Sequence, residues 1–122
     1  MRLGLVLLGA LTLSSGAAAM PVSVFLPKAE ALQKKGPMAL FSGDLKVLTR
    51  QIKADAAALR AGNETAAKAG RPKAYCTPPK GGSLSNKDIL AAMQSVPPAS
   101  RATTDTRDVL RSVMARKYPC RS

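Results

Sequence analysis

The chain has 122 residues, of which 19 are Lys or Arg, 7 are Asp or Glu and none is His, so its formal net charge is +12. Without imidazole, Ser-His-Asp and Cys-His nucleophiles are excluded, and so are the His-containing zinc sites. A hydrophobic content of 46% supports one core, whereas the 3% of aromatics (Phe25, Phe41, Tyr75 and Tyr118) leaves little for stacking bases or flat cofactors.

At the amino end, Arg2 precedes an apolar run from Leu3 to Leu13 and a small-residue stretch ending Ala17-Ala18-Ala19. This three-part pattern reads as a secretory signal over residues 1 to 19, cleaved near Ala19. About eleven apolar residues fall short of the roughly 18 to 20 that span a bilayer. No second apolar run follows. The mature chain, residues 20 to 122, is expected to be periplasmic or secreted, a single domain without a transmembrane segment. Loss of Arg2 leaves it at +11.

Ser23 is the expected cap of a first helix that runs to Lys35, with Phe25, Leu26, Ala29 and Leu32 on one side, Pro27 in the first turn and Gly36-Pro37 ending it. A short apolar stretch, Met38 to Phe41, leads to Ser42, the expected cap of a second, longer helix. Its Leu45, Leu48, Ile52, Ala56 and Leu59 recur at spacings of three and four, the mark of a helical core face. Gly62-Asn63 is read as an interruption. Glu64 to Ala69 either continues the helix or forms a separate turn, and Gly70-Arg71-Pro72 stops it.

The segment Cys76-Thr-Pro-Pro-Lys-Gly-Gly-Ser83 excludes regular structure. Ser85 and Asp88 then form a capping-box pattern, with Leu84 and Ile89 as a hydrophobic staple. The third helix buries Ile89, Leu90, Met93 and Val96 and ends at Pro97-Pro98. A last helix starts near Asp105, carries Val109, Leu110, Val113 and Met114 on one face, and places Arg116 and Lys117 at its C-terminal end, where cations are favoured. The fold class expected is all-α: a small compact domain of about four helices whose C-terminal hairpin is closed by a disulfide. For the pair Cys76 and Cys120, an exported chain and an even count favour that disulfide. The rival reading is a reactive thiol beside Lys73 or Arg121.

Candidate chemistry is sparse. The acids Glu30, Asp44, Asp55, Glu64, Asp88, Asp105 and Asp108 form no evident catalytic pair: Asp88 and Asp105 are assigned to helix starts and the rest to polar faces. No metal-ligand spacing and no phosphate-binding glycine motif is present, so neither cofactor nor metal is expected, and the chain reads as a non-enzyme. Asn63-Glu64-Thr65 matches the glycosylation sequon and is read as helix surface. On the long helix, Lys46, Arg50, Lys53 and Arg60 form one basic stripe. That stripe is either a solvated face or a site for an anionic surface. Export and the lack of interleaved aromatics argue against nucleic acid, and no apolar side chain accompanies the stripe to favour a membrane surface.

From Tyr75 to Cys120 the sequence runs Tyr75-Cys76-Thr77-Pro78, a glycine-containing loop, an amphipathic helix, a Pro-bearing turn, a second amphipathic helix and Tyr118-Pro119-Cys120. In this half the chain resembles the Rap/Tai family of periplasmic immunity proteins associated with type VI secretion. The resemblance implies inhibition by binding: such proteins neutralise cell-wall amidases, often as dimers that place a loop in the amidase active site. It implies a secreted cell-wall hydrolase as protein partner and a possible homodimer. Two segments then become candidates for insertion. One is the loop Thr77 to Ser83, with Lys80 and Ser83. The other is the turn Pro97 to Thr104, where Ser100, Arg101, Thr103 and Thr104 offer polar groups, and which is slightly favoured. The alternative function is a structural or polyanion-binding envelope protein using the basic stripe.

Overall fold

The computed structural model describes residues 19–121. The expected leader lies outside them apart from Ala19. These residues form four helices, α1 (Val22–Lys35), α2 (Gly43–Lys68), α3 (Asn86–Gln94) and α4 (Thr106–Lys117), with 3-10 turns at Gly36–Phe41 and Pro98–Ser100. The fold is all-α, as the periodicity implies. No helix among the described residues is long and apolar enough to cross a membrane.

The start of α1 differs from expectation. Its N-cap is Pro21, which has no side-chain hydroxyl, and Ser23 lies inside the helix. The free N–H groups of the first turn are satisfied instead from far along the chain. Val22 donates to the Thr104 carbonyl at 2.9 Å and Ser23 to the Arg101 carbonyl at 3.0 Å. Thr106 N–H in turn donates to the Met20 carbonyl at 2.9 Å, beside an isolated antiparallel bridge between Pro21 and Asp105. Capping by tertiary carbonyls fixes the start of α1 and the turn before α4 to each other. Because the helix begins at Val22, Pro27 sits two positions deeper than expected, past the first turn, where it withholds one backbone donor.

Ser42 caps α2 as its position implies, its hydroxyl accepting from Asp44 N–H at 3.3 Å. The helix does not break at Gly62-Asn63, and Glu64 to Lys68 continue it as one element of 26 residues. Gly62 is exposed, so its helical cost is only about 1 kcal/mol. Asn63 is held from outside the helix: its amide donates to the Tyr75 carbonyl at 3.1 Å and accepts from Ala74 N–H at 2.9 Å. The sequon asparagine is thus a clamp between α2 and the segment leading to Cys76. The helix ends where Gly70 takes φ of 69°, a left-handed conformation that favours glycine.

At α3 the capping box is complete, with Ser85 accepting from Asp88 N–H at 3.1 Å and Asp88 accepting from Ser85 N–H at 3.2 Å. Asp105 is the N-cap residue of α4, but its side chain makes no capping bond. Helices α1 and α4 each pack against both α2 and α3. The core they enclose joins Val22, Phe25, Leu26 and Leu32 of α1 to Leu48 and Leu59 of α2, Ala92 and Met93 of α3, and Val109 and Leu110 of α4. Met93 and Val22 are wholly buried. Burial of each such side chain contributes about 1.5 to 3 kcal/mol.

One polar cluster lies inside this core. Asp55, placed on a polar face by the sequence, is 0% exposed. Its Oδ2 accepts from Thr106 Oγ1 at 2.6 Å, and its Oδ1 accepts from Gln51 Nε2 at 3.0 Å and from Arg107 Nε at 3.3 Å. Thr106 is equally buried and Gln51 nearly so. The cluster therefore ties the middle of α2 to the first turn of α4, with both carboxylate oxygens satisfied.

Candidate functional site

Cys76 and Cys120 form a disulfide, with Cα atoms 4.9 Å apart. This joins the chain just before the Thr77–Ser83 loop to the tail just after α4. Beside the bridge, Cys76 N–H donates to the Tyr118 carbonyl at 2.8 Å, and the Tyr75 ring is buried in the core. The Asn63 clamp holds the same segment from the α2 side. One end of the loop is thereby fixed to two helices.

Its other end is fixed as well. The Tyr118 hydroxyl accepts from Ser83 N–H at 3.3 Å and donates to the Ser83 carbonyl at 3.4 Å, and Lys117 Nζ donates to that carbonyl at 2.8 Å. Lys117 also lies 3.8 Å from Asp88 Oδ2 and 5.6 Å from the centre of the Tyr118 ring, a cation–π arrangement. Between these anchors the backbone turns at Pro78 to Gly81, with Gly81 N–H donating to the Pro78 carbonyl at 2.8 Å and Gly81 at φ of 78°. Gly82 lets the Tyr118 ring approach the backbone closely. A Cβ there would lie 2.6 Å from the Tyr118 ring. Thr77, Pro78, Pro79, Lys80 and Ser83 are all exposed. The result is a short, proline-stiffened projection held at both ends.

Behind the loop is a cleft of about 510 Å³, walled by Ile52, Leu59 and Asn63 of α2, by the loop itself, and by Leu110 and Met114 of α4. Glu64 and the basic Arg60 and Lys73 stand among its lining residues. Near the loop's exit, Asp88 has its carboxyl held below the ordinary aspartate value of 3.8, first by the hydrogen bond from the Ser85 backbone, then by the Ser85 hydroxyl, with Lys117 adding to the effect.

The turn Pro97 to Thr104 is a different object. The Arg101 guanidinium donates to the Val96 carbonyl at 2.8 Å and to the Gln94 carbonyl at 3.1 Å, closing the C-terminal end of α3. The Thr103 and Thr104 hydroxyls donate to the Ser100 carbonyl at 3.2 and 2.8 Å. The Arg101 and Thr104 carbonyls cap α1. Of the four residues singled out there, only Thr103 is fully exposed. Three of the four side chains that made this turn attractive in the sequence, those of Arg101, Thr103 and Thr104, are engaged within the molecule, Arg101 at the end of α3 and the two threonines inside the turn.

Lys46, Arg50, Lys53 and Arg60 all lie exposed along α2, and none forms an ion pair with another described residue. Two features escaped the sequence reading. Tyr118 and Lys117 act together as the second anchor of the loop, signalled by no more than the aromatic before Pro119-Cys120. Met38, Leu40 and Phe41 stand 65%, 74% and 83% exposed on the α1–α2 connection, although as a short apolar stretch they carried no assigned role. Comparison with protein-family models, curated protein sequences and solved structures finds no match to this chain.

Proposed function

We propose that the chain is an exported, non-catalytic immunity-like protein that inhibits a cell-wall amidase by binding and occluding it, and that the Thr77–Ser83 loop is the inserted element. The observation that carries this reading is the double anchoring of the loop. A segment that enters an enzyme cleft without catalytic groups must act by fit, and fit is strongest when little conformational freedom is lost on binding. Two prolines, the disulfide and the Tyr118–Lys117 anchor meet that requirement. Lys80 and Ser83, at the turn and its exit, are the polar groups best exposed for contact.

The test is inhibition of peptidoglycan hydrolysis by secreted amidases of the source cell, with the mature chain at about 150 mM salt. Stoichiometric inhibition is expected, with at least a tenfold loss when Thr77 to Ser83 is replaced by a Gly/Ser segment of equal length. Undiminished hydrolysis by every such amidase at molar excess of the chain refutes the proposal.

A polyanion-binding envelope role is the second reading, supported by the four exposed cations of α2 without acidic partners. It predicts heparin retention that collapses with salt and that is lost when Lys46, Arg50, Lys53 and Arg60 become Gln.

A further inference from the structure

The α1–α2 connection holds its apolar side chains away from the core. Gly36–Phe41 folds as a 3-10 turn, and of its side chains only Ala39 packs against the core cluster. Met38, Leu40 and Phe41 project into solvent, with Val47, 42% exposed, one turn into α2. The connection is nonetheless well held at its base. Lys28 Nζ lies 3.2 Å from Asp44 Oδ1, Lys35 Nζ lies 3.4 Å from Ser42 Oγ, and Ser42 caps α2. An ordered hairpin tip that keeps a phenylalanine, a leucine and a methionine together in water is an exposed apolar patch of the kind that marks interaction sites.

Charge identifies the partner. From Lys34 to Lys53 the chain carries Lys34, Lys35, Lys46, Arg50 and Lys53 against a single acid, Asp44, and Asp44 is already paired with Lys28. Lys34, Lys35 and Lys46 are exposed and flank the apolar tip on both sides. The four apolar side chains offer on the order of 500 Å² of exposed surface, the size of the apolar patches that monomers use for contact. That area suffices for shallow insertion at a lipid interface, where a few apolar groups and a collar of cations act together. We propose that the tip Met38–Phe41 docks on an anionic phospholipid bilayer, its apolar side chains at the acyl boundary and Lys34, Lys35 and Lys46 against the lipid phosphates. This does not depend on the identity of any enzyme the loop inhibits, and it differs from the polyanion reading of the α2 stripe: the tip supplies the apolar groups that the stripe lacks.

Co-sedimentation of the mature, oxidised chain with vesicles of phosphatidylcholine containing about 30% phosphatidylglycerol, at 100 mM salt, tests the proposal. Binding is expected to these vesicles and not to pure phosphatidylcholine. Leu40→Ser with Phe41→Ser should weaken it at least tenfold, and Lys34→Gln, Lys35→Gln and Lys46→Gln by about fivefold each. Arg60→Gln should change it less than twofold, because Arg60 lies about 21 Å along α2 from Lys46, beyond the screening length. The chain has no Trp, so Phe41→Trp gives a single reporter whose emission should shift to the blue on binding. Circular dichroism of each variant checks that the fold is retained. Absence of binding to the anionic vesicles, a Phe41→Trp emission unmoved by them, or a loss at Arg60→Gln equal to that at Lys46→Gln overturns the proposal. So does a dimer of the native chain that Leu40→Ser with Phe41→Ser dissociates, if the native chain ignores vesicles.

Discussion

Replacing Asp55 by Ala removes the acceptor at the centre of the buried cluster. The Thr106 hydroxyl, 2.6 Å from Oδ2, and the Gln51 amide, 3.0 Å from Oδ1, both lose their partner where little water enters, and Arg107 loses its counter-charge. Each buried donor left without an acceptor costs about 1 to 3 kcal/mol, so the two together remove about 3 to 5 kcal/mol, a large fraction of the roughly 5 to 10 kcal/mol available to a domain of this size, while Arg107, 29% exposed, turns to water. The expected fall in melting midpoint is about 15 to 25 °C, measured by circular dichroism, with urea unfolding giving the free energy. A cycle with Thr106→Val isolates the α2–α4 link. Thr106→Val should be costly in the native background and nearly neutral once Asp55 is Ala, a coupling of at least about 1 kcal/mol. Asp55→Leu with Thr106→Val should recover part of the loss, because an apolar pair needs no acceptors. A cost below about 1 kcal/mol for Asp55→Ala, or strict additivity in the cycle, would refute the reasoning.

Three further outcomes are expected. Reduction of Cys76–Cys120, whose partners are 44 positions apart, should cost about 4 kcal/mol in the chain-entropy model. Thiol titration of the native protein should find no free thiol, and a reducing agent should lower the melting midpoint by many degrees. Asp88 should titrate below 3.8 in a carboxyl NMR experiment. Because folding depresses its pKa, its contribution is present above about 3.8 and is lost as the pH falls through the folded value, so Asp88→Ala should flatten the stability profile in that acid range and change its slope little at neutral pH. Gly82→Ala places a methyl against the outer end of the Tyr118 ring, which must move off Ser83, and should cost about 1 kcal/mol for the hydrogen bonds lost. It should also speed exchange of the Ser83 amide proton, and a stability equal to the native chain would show that the Tyr118 anchor yields freely.

How far the sequence reveals this fold depends on where each hydrogen-bond partner lies. Ser42 and Ser85 were legible as caps because their acceptor and donor are within three residues. The cap of α1 was not, since its acceptors sit at Arg101 and Thr104, about 80 positions away, and a local search could find only the wrong serine. Continuity of α2 through Gly62-Asn63 was hidden for the same reason: the Asn63 side chain is satisfied by Ala74 and Tyr75. Asp55, by contrast, is legible by its register. It falls on the line Leu48, Ile52, Asp55, Leu59 at spacings of four, three and four, a core position in the helical period, and its register, not the charge of its carboxylate, decides its burial.

That same distinction orders the two candidate binding segments. From composition, Pro97 to Thr104 looked the better contact surface, with four polar side chains and no apolar group needing burial. A polar side chain is available to a partner only if the fold leaves it unengaged, and here α1 lacks an N-cap hydroxyl while α3 ends without a basic residue in its last turn. The turn supplies both, through its carbonyls and Arg101. The Thr77–Ser83 loop has no such duty. Its own contacts lie at its two ends and in the single Pro78–Gly81 turn, which stiffens the loop and leaves the Thr77, Pro79 and Lys80 side chains exposed. Substitution of Arg101 by Ala should therefore act mainly on stability, by about 1 to 3 kcal/mol for the lost charge-assisted bonds, whereas Lys80→Ala should leave the melting midpoint unchanged and, under the proposed function, weaken inhibition of the target amidase. Equal and small stability effects at both positions, with inhibition lost only at Arg101, would return the binding role to the turn.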